Sequence, residues 1–187
     1  MGKLKTEISQ LIKKSRGLNQ ARIDTNKWFN TSNSVVNTQE LFKPGKIYVF
    51  RYEHPINKER LWDMNPTVLS LGRTEGLDIG LNLNFLTYNQ RVALLDRVYE
   101  QYYEHIKRSV ERSGGNPLRQ EQIISMNYDN IKRFLSKTNY HKACRRYINN
   151  KRKNTKVISY SDWVRMAIIN KSDFNNGDIN QAHSKIT

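Results

Sequence analysis

Residues 77–85, LDIGLNLNF, alternate strictly between apolar and polar side chains. The apolar residues occupy the odd positions, and Asp, Gly, Asn and Asn occupy the even ones. A period of two is typical of a β-strand with one face on the core and one in water. The alternation therefore predicts a strand whose Asp78, Asn82 and Asn84 side chains face solvent.

Two further strands are predicted just before this stretch. Residues 46–53, KIYVFRYE, crowd β-branched and aromatic side chains together after a Pro-Gly turn. Residues 67–71 form a second apolar run, and the glycine-bounded sequence GRTEG at 72–76 makes a turn between that run and the alternating stretch. We therefore expect the second and third strands to form an antiparallel hairpin. Residues 157–160 are a candidate fourth strand.

A long helix is predicted directly after the alternating stretch. The sequence from Thr87 to Gln90 has the form of a capping box, in which each side chain binds the other residue's backbone amide. Apolar residues then recur at positions 92, 95, 99, 102, 106 and 110, which indicates an amphipathic helix that covers one face of the sheet. The opposite helix face mixes arginines, among them Arg91 and Arg97, with acids. We interpret it as an ordinary solvated face.

The fold class expected from these patterns is α+β, with a small antiparallel sheet of three to four strands under the long helix. Residues 1–42 are predicted to form an N-terminal helix and an extended arm, with a disordered N-terminus as the alternative. Residues 43–171 form the compact domain, which includes further C-terminal helices and a basic helical segment at 130–156. Residues 172–187 are a polar C-terminal tail.

The charge of the chain favours a negatively charged partner. Its 187 residues carry 32 Lys and Arg against 17 Asp and Glu, a net charge of +15. Nucleic acid, an acidic protein surface and an anionic membrane all satisfy such a charge. No apolar run approaches the ~20 residues of a membrane-spanning helix, and no signal peptide is recognisable, so we expect no membrane partner and a cytosolic place of assembly.

The positive charge is concentrated in one part of the chain. Residues 130–161 contain ten basic residues and no acid. Phosphate contact by these cations is the main prediction, with Tyr140 and Tyr147 as rings that stack on bases. A surface that only keeps the protein soluble or pairs with an acidic subunit is the alternative. The predicted polyanion contacts are Lys132, Arg133, Lys137, Lys142, Arg145, Arg146, Lys151, Arg152, Lys153 and Lys156.

Catalytic chemistry has little support in the sequence. The four histidines lie far apart, and the acids group only loosely, as in Glu53 with His54 or Asp78 with Arg73. The single cysteine, Cys144, is expected to be a small packed residue and not a nucleophile. We therefore expect no catalytic residues, no metal and no cofactor.

The chain resembles a set of small virion proteins of tailed bacteriophages, of the head-completion or DNA-end-protector kind. The resemblance covers roughly residues 43–170. It is carried by the aromatic strand Tyr48-Val49-Phe50-Arg51-Tyr52, the Asn65-Pro66 step, Gly80-Leu81-Asn82-Leu83-Asn84-Phe85-Leu86 running into the long helix, the basic stretch, Val157-Ile158, Trp163 and Ala167.

This resemblance implies a non-enzymatic virion component, assembled in the host cytoplasm, at or near the head–tail junction or the DNA end. Its implied partners are portal, neck or tail subunits in a multi-copy ring, and double-stranded DNA. A stand-alone protein that binds nucleic acid without sequence specificity is the alternative. A nuclease is the third hypothesis.

Overall fold

The computed structural model describes residues 2–32, 35–53, 61–112, 135–136, 138–169, 174–175 and 177–185, without the side chains of residues 101–112. The fold is a mixed α+β arrangement. Its helices are α1 (Lys3–Lys14), α2 (Leu18–Thr31), α3 (Tyr88–Arg112), α4 (Trp163–Ile168) and α5 (Ile179–Ser184). Its strands are β1 (Val35–Asn37), β2 (Ile47–Tyr52), β3 (Trp62–Asp63), β4 (Thr67–Thr74), β5 (Leu77–Asn82), β6 (Cys144–Tyr147), β7 (Arg152–Ile158) and β8 (Phe174–Asn175).

Six of the strands form one antiparallel sheet in the order β1-β7-β2-β4-β5-β6. The predicted hairpin of β4 and β5 is confirmed, and β7 confirms the fourth strand although it starts at Arg152. The expectation of three to four strands was too low, since β1 and β6 extend the sheet at its two edges. Strands β3 and β8 pair separately.

The register aligns aliphatic side chains into a row across the sheet. Ile47 lies opposite both Ile158 and Leu69, and Leu69 lies opposite Leu81. All four side chains are buried in the same cluster as the apolar residues of the helices. This row therefore fixes one face of the sheet as the floor of the main core.

The sheet is strongly curled, because β6 and β7 lie far apart in the strand order but are joined by a single 3-10 turn, Asn149–Lys151. The ring of Tyr147, on β6, lies 5.1 Å from the ring of Phe50 and 5.3 Å from that of Tyr52, both on β2. The face inside the curl holds a second buried cluster. It consists of Phe42, Tyr48, Phe50, Tyr52, Val68 and Tyr147.

The curl corrects one prediction made from the alternating stretch. Asp78, Asn82 and Asn84 do not face solvent, since each is at most 2% exposed. The carboxylate of Asp63 accepts from the side-chain amides of Asn82 at 3.1 Å and Asn84 at 2.7 Å, and Phe42 packs over the same face. The polar side chains at the even positions therefore form hydrogen bonds in the interior and are not exposed to solvent.

The long helix begins as predicted but packs elsewhere. Thr87 and Gln90 form the capping box, with the Gln90 amide donating to Thr87 Oγ1 at 3.3 Å and the Thr87 amide to Gln90 Oε1 at 2.9 Å. Helix α3 then packs chiefly on α1 and α4, so the expectation that it covers the sheet was wrong. Asp96 holds α1 in place, because its carboxylate accepts the backbone N–H of Lys5 at 3.0 Å in the first turn of α1.

The N-terminal region is part of the core and not an extended arm. The predicted helix is α1, with Leu4 and Ile8 buried, and residues 18–31 form a second helix, α2. Its Ala21, Thr25 and Phe29 are buried, at a spacing of four, although its sequence is otherwise polar. Tertiary packing on α4 overrides the low helix propensity of its Asn and Thr residues.

The basic segment 130–156 was predicted to be helical, but no α-helix occurs in residues 138–156, the part of it that the structure describes continuously. Residues 139–143 form a 3-10 turn, residues 144–147 are β6, and a second 3-10 turn follows. Strand β6 forms because the outer edge of β5 is open to pairing, and no helical stripe of apolar residues competes with it.

The polar C-terminal tail also carries structure. Helix α5 begins with a capping box between Asp178 and Gln181, and its Ala182 is fully buried. Within the described part of the chain, no helix is long and apolar enough to cross a membrane.

Candidate polyanion-binding surface

The ten predicted cations do not share one face. Lys132, Arg133 and Lys137 lie outside the described residues. The other seven lie on β6, on β7 and on the two 3-10 turns that flank β6. Three of the seven are exposed without close ion pairing, and the other four are each held by a neighbouring group of the same chain.

Arg152 is an internal residue and leaves the predicted contact set. Its side chain is 2% exposed, and its Nη2 lies 3.0 Å from Oδ2 of the buried Asp78. The same nitrogen donates to the backbone carbonyl of Glu40 at 3.0 Å, and the guanidinium covers the ring of Phe42 at 4.5 Å. A guanidinium that is desolvated and paired in this way is unavailable to DNA.

Three more cations are engaged by neighbouring groups. Lys153 forms an ion pair with Glu53, and the Lys156 ammonium lies 4.9 Å from the centre of the Phe29 ring. Arg145 lies over the ring of Phe85 at 4.1 Å and donates to the carbonyl of Lys142 at 2.7 Å. These side chains therefore contribute charge to the surface without being free to reorient.

The remaining exposed cations are Lys142, Arg146 and Lys151, which we call the cationic edge. They lie within ten residues on β6 and its two flanking turns, and β6 is an edge strand. Among the described residues, Glu53 donates its backbone N–H to the carbonyl of Lys151 at 3.5 Å, but its carboxylate is paired with Lys153. Glu75 lies 3.9 Å from Arg146, with side-chain exposures of 78% and 62%. An ion pair this exposed contributes little, so Arg146 remains available to another anion.

The two predicted stacking residues differ. Tyr147 is 3% exposed inside the curl of the sheet, so its ring cannot stack on a base. Burial holds the pKa of its hydroxyl well above the usual value. Tyr140 is half-buried against the main core, next to the cationic edge.

A pocket of 530 Å³ adjoins the cationic edge. Its floor is apolar, formed by Leu71, Ile79 and Leu135, and its rim carries His141, Arg145 and Arg146. A lining of apolar residues and cations suits a ligand that has both an apolar part and negative charge.

Cys144 also lines this pocket. Burial raises the pKa of its thiol to about 11, so the thiol stays protonated at neutral pH. The packed, unreactive cysteine expected from the sequence agrees with this pKa.

The loose acid groupings seen in the sequence have internal roles. Asp78 is fully buried between Arg73, whose Nε lies 3.0 Å away, and Arg152. Asp63 binds Asn82 and Asn84, and His54 lies outside the described residues. No group of three or more potential metal ligands occurs in the described ranges.

Sequence reasoning missed a second cationic group, at the junction of α2, α3, α4 and α5. Arg91 was assigned to the solvated face of α3, but it is 4% exposed and donates from Nη1 to the carbonyl of Ile169 at 2.7 Å. Arg22, from the polar α2, lies near enough for its charge to lower the pKa of Arg91. Arg91 lies in the first turn of α3, where neither periodicity nor charge pattern distinguishes it from a surface residue.

Comparison of the chain with protein-family models, with curated proteins and with solved structures finds no match.

Proposed function

We propose that the protein is a non-enzymatic structural protein of a tailed-phage virion, at or near the head–tail junction or the DNA end. In this proposal its cationic edge contacts the phosphates of double-stranded DNA. The virion role rests on the resemblance of residues 43–170 to small virion proteins.

The proposed DNA contact rests on the exposure and the ion pairing of the residues in the cationic edge. Lys142 and Lys151 are exposed and form no ion pair with any described residue. Of the cations that follow in sequence, Arg152 is paired with the buried Asp78, and the exposed Lys153 is paired with Glu53. Unpaired cations on the turns that flank an edge strand bind phosphates at little cost, because no existing ion pair has to break. Such contacts carry no sequence readout, so binding is expected to be non-specific.

A binding titration with a fluorescent duplex tests the DNA contact. The variant K142Q/R146Q/K151Q is expected to bind the duplex with an affinity on the order of tenfold lower than that of the wild type at low salt. The control K13Q/K14Q/R16Q removes three exposed cations from the end of α1 and lowers the net charge by the same amount. Equal losses in both variants would show that net charge, and not the cationic edge, drives binding.

The position in a particle is tested separately, by probing purified virions for the protein with a specific antibody. Its presence in particles, released only when the head–tail junction is broken, is the expected result. A protein that binds DNA but is absent from particles would favour the second candidate, a stand-alone nucleic-acid-binding protein. If the wild type does not bind duplex DNA even at low salt, an acidic protein surface becomes the better partner.

A further inference from the structure

The junction of α2, α3, α4 and α5 holds two arginines for which no described residue supplies a carboxylate partner. Arg91 is 4% exposed, and its one hydrogen bond is the 2.7 Å contact from Nη1 to the carbonyl of Ile169. Its Nε is buried without a hydrogen-bond partner, and so is the Nε of Arg22.

An unpaired buried guanidinium destabilises the folded state, because the charge loses its hydration and gains no other partner. A buried group can avoid this cost by losing its proton, but Arg91 does not. Burial lowers the pKa of Arg91 to about 10, with a further lowering from the charge of Arg22, and a group with this pKa is still charged at neutral pH. The positive charge therefore persists inside the protein.

The neighbouring titratable groups that the structure describes do not supply the missing negative charge. Burial raises the pKa of Tyr88, so its hydroxyl is neutral, and burial lowers the pKa of His183, so its ring is neutral as well. Two acids on the adjoining helices have other partners. Asp24 accepts a hydrogen bond from Gln20, and Asp96 binds Lys5.

We propose that Arg91 and Arg22 form a binding site for a small oxyanion with the oxygen geometry of phosphate or a carboxylate. A guanidinium presents N–H groups in a planar fork that matches two oxygens of such an anion. Because Arg91 is almost fully buried, the site suits a small free anion and not the backbone of a duplex.

This site is separate from the cationic edge and is not part of the proposed function. Arg91 lies on α3 and Arg22 on α2, whereas the cationic edge lies on β6 and its flanking turns. A bound anion here would join α2, α3 and the end of α4 through one ligand. Its role would be to stabilise the helical layer.

Thermal unfolding tests the proposal. Sodium phosphate and sodium acetate are compared with sodium chloride at equal ionic strength, so that screening is the same in all three. A ligand at 100 times its Kd is expected to raise the Tm of a chain of this size by roughly 5 to 10 °C. The two anions distinguish a phosphate site from a carboxylate site.

Three variants locate the effect. R91M removes the buried charge at similar volume, so it should lose the anion response and unfold in chloride at a Tm no lower than that of the wild type. R22M keeps Arg91 and should show a weakened response, which preserves the test if R91M does not fold. R97M, an exposed arginine on the same helix, should respond like the wild type.

Three results would overturn the proposal. One is an absence of response to both phosphate and acetate in the wild type, and another is an equal response in R91M. The third concerns Asp173, four residues after Ile169 in sequence and outside the described residues. If only the D173N variant responds to phosphate, the counter-charge belongs to the chain itself and no external anion is needed.

Discussion

The carboxylate of Asp78 on β5 lies 3.0 Å from Nη2 of Arg152 on β7, with both side chains almost fully buried. These two strands are not neighbours in the sheet, since β2 and β4 lie between them. The ion pair therefore crosses the inside of the curled sheet and connects strands that share no backbone hydrogen bond.

Breaking this pair should destabilise the protein strongly. Replacement of Asp78 by Asn leaves the Arg152 guanidinium buried without a counter-charge, which we expect to lower the free energy of unfolding by about 3 to 5 kcal/mol. The double variant D78N/R152M should recover much of this loss, because neither charge remains. Urea unfolding measures both, with E75Q, at the exposed partner of Arg146, as a control that should change little. A D78N variant as stable as E75Q would show that the pair contributes nothing.

Gly80 is expected to tolerate no side chain. A Cβ built there would lie 2.1 Å from Cγ1 of Val68 and 2.9 Å from the carbonyl oxygen of Leu69. We expect G80A to lower the free energy of unfolding by about 1 to 3 kcal/mol, since the adjacent strands must separate. If the clash with Val68 causes this loss, V68A should lower the free energy of unfolding less in the G80A background than in the wild type. Additive losses in urea unfolding would rule out the clash.

Cys144 should react slowly with thiol reagents while the protein is folded. With a pKa of about 11, against an ordinary 9.0, the thiolate fraction at pH 8 is about 100-fold smaller than that of a free cysteine. The rate of modification by a disulfide reagent should fall by a similar factor and rise with pH well beyond 9. Unfolding in urea should restore the ordinary rate. Rapid reaction in the folded state would place the thiol outside its apolar surroundings.

The salt dependence of DNA binding should distinguish the contribution of the cationic edge from that of the other surface cations. Each phosphate contact contributes about 0.9 to the slope of log K against log salt concentration, so K142Q/R146Q/K151Q should lower the slope by as much as about 3. The variant K153Q should change the slope far less, because Lys153 is already paired with Glu53. The same slope in the wild type and the triple variant would remove these three residues from the DNA contact.

The parts of the fold that the sequence predicted correctly are local in the chain. The hairpin of β4 and β5 has its turn and its periodicity within twenty residues, and the capping box at Thr87 spans four. Strand β6 was mistaken for a helix because its partner, β5, lies some sixty residues earlier, and no local pattern shows that the edge of β5 is open.

The candidate sites were only partly predictable for a related reason. The sequence locates ten cations but does not distinguish Lys151, which is exposed, from Arg152, which is buried against Asp78. In the same way, Arg91 has the sequence context of a surface residue. A buried charge is recognised only when the groups around it are known, because its partners come from distant parts of the chain.

The pairing of β2 with β7, more than a hundred residues later in the chain, also constrains the order in which the sheet can form during synthesis. Strand β2 gains β4 as a neighbour soon after it is made, but its other edge stays unpaired until residues 152–158 have emerged. Through that interval the nascent chain presents an open, aromatic strand edge, the feature from which aggregation commonly starts. The sheet that begins to form from the first half of the chain is therefore completed only when β7, in the last third, pairs with β2.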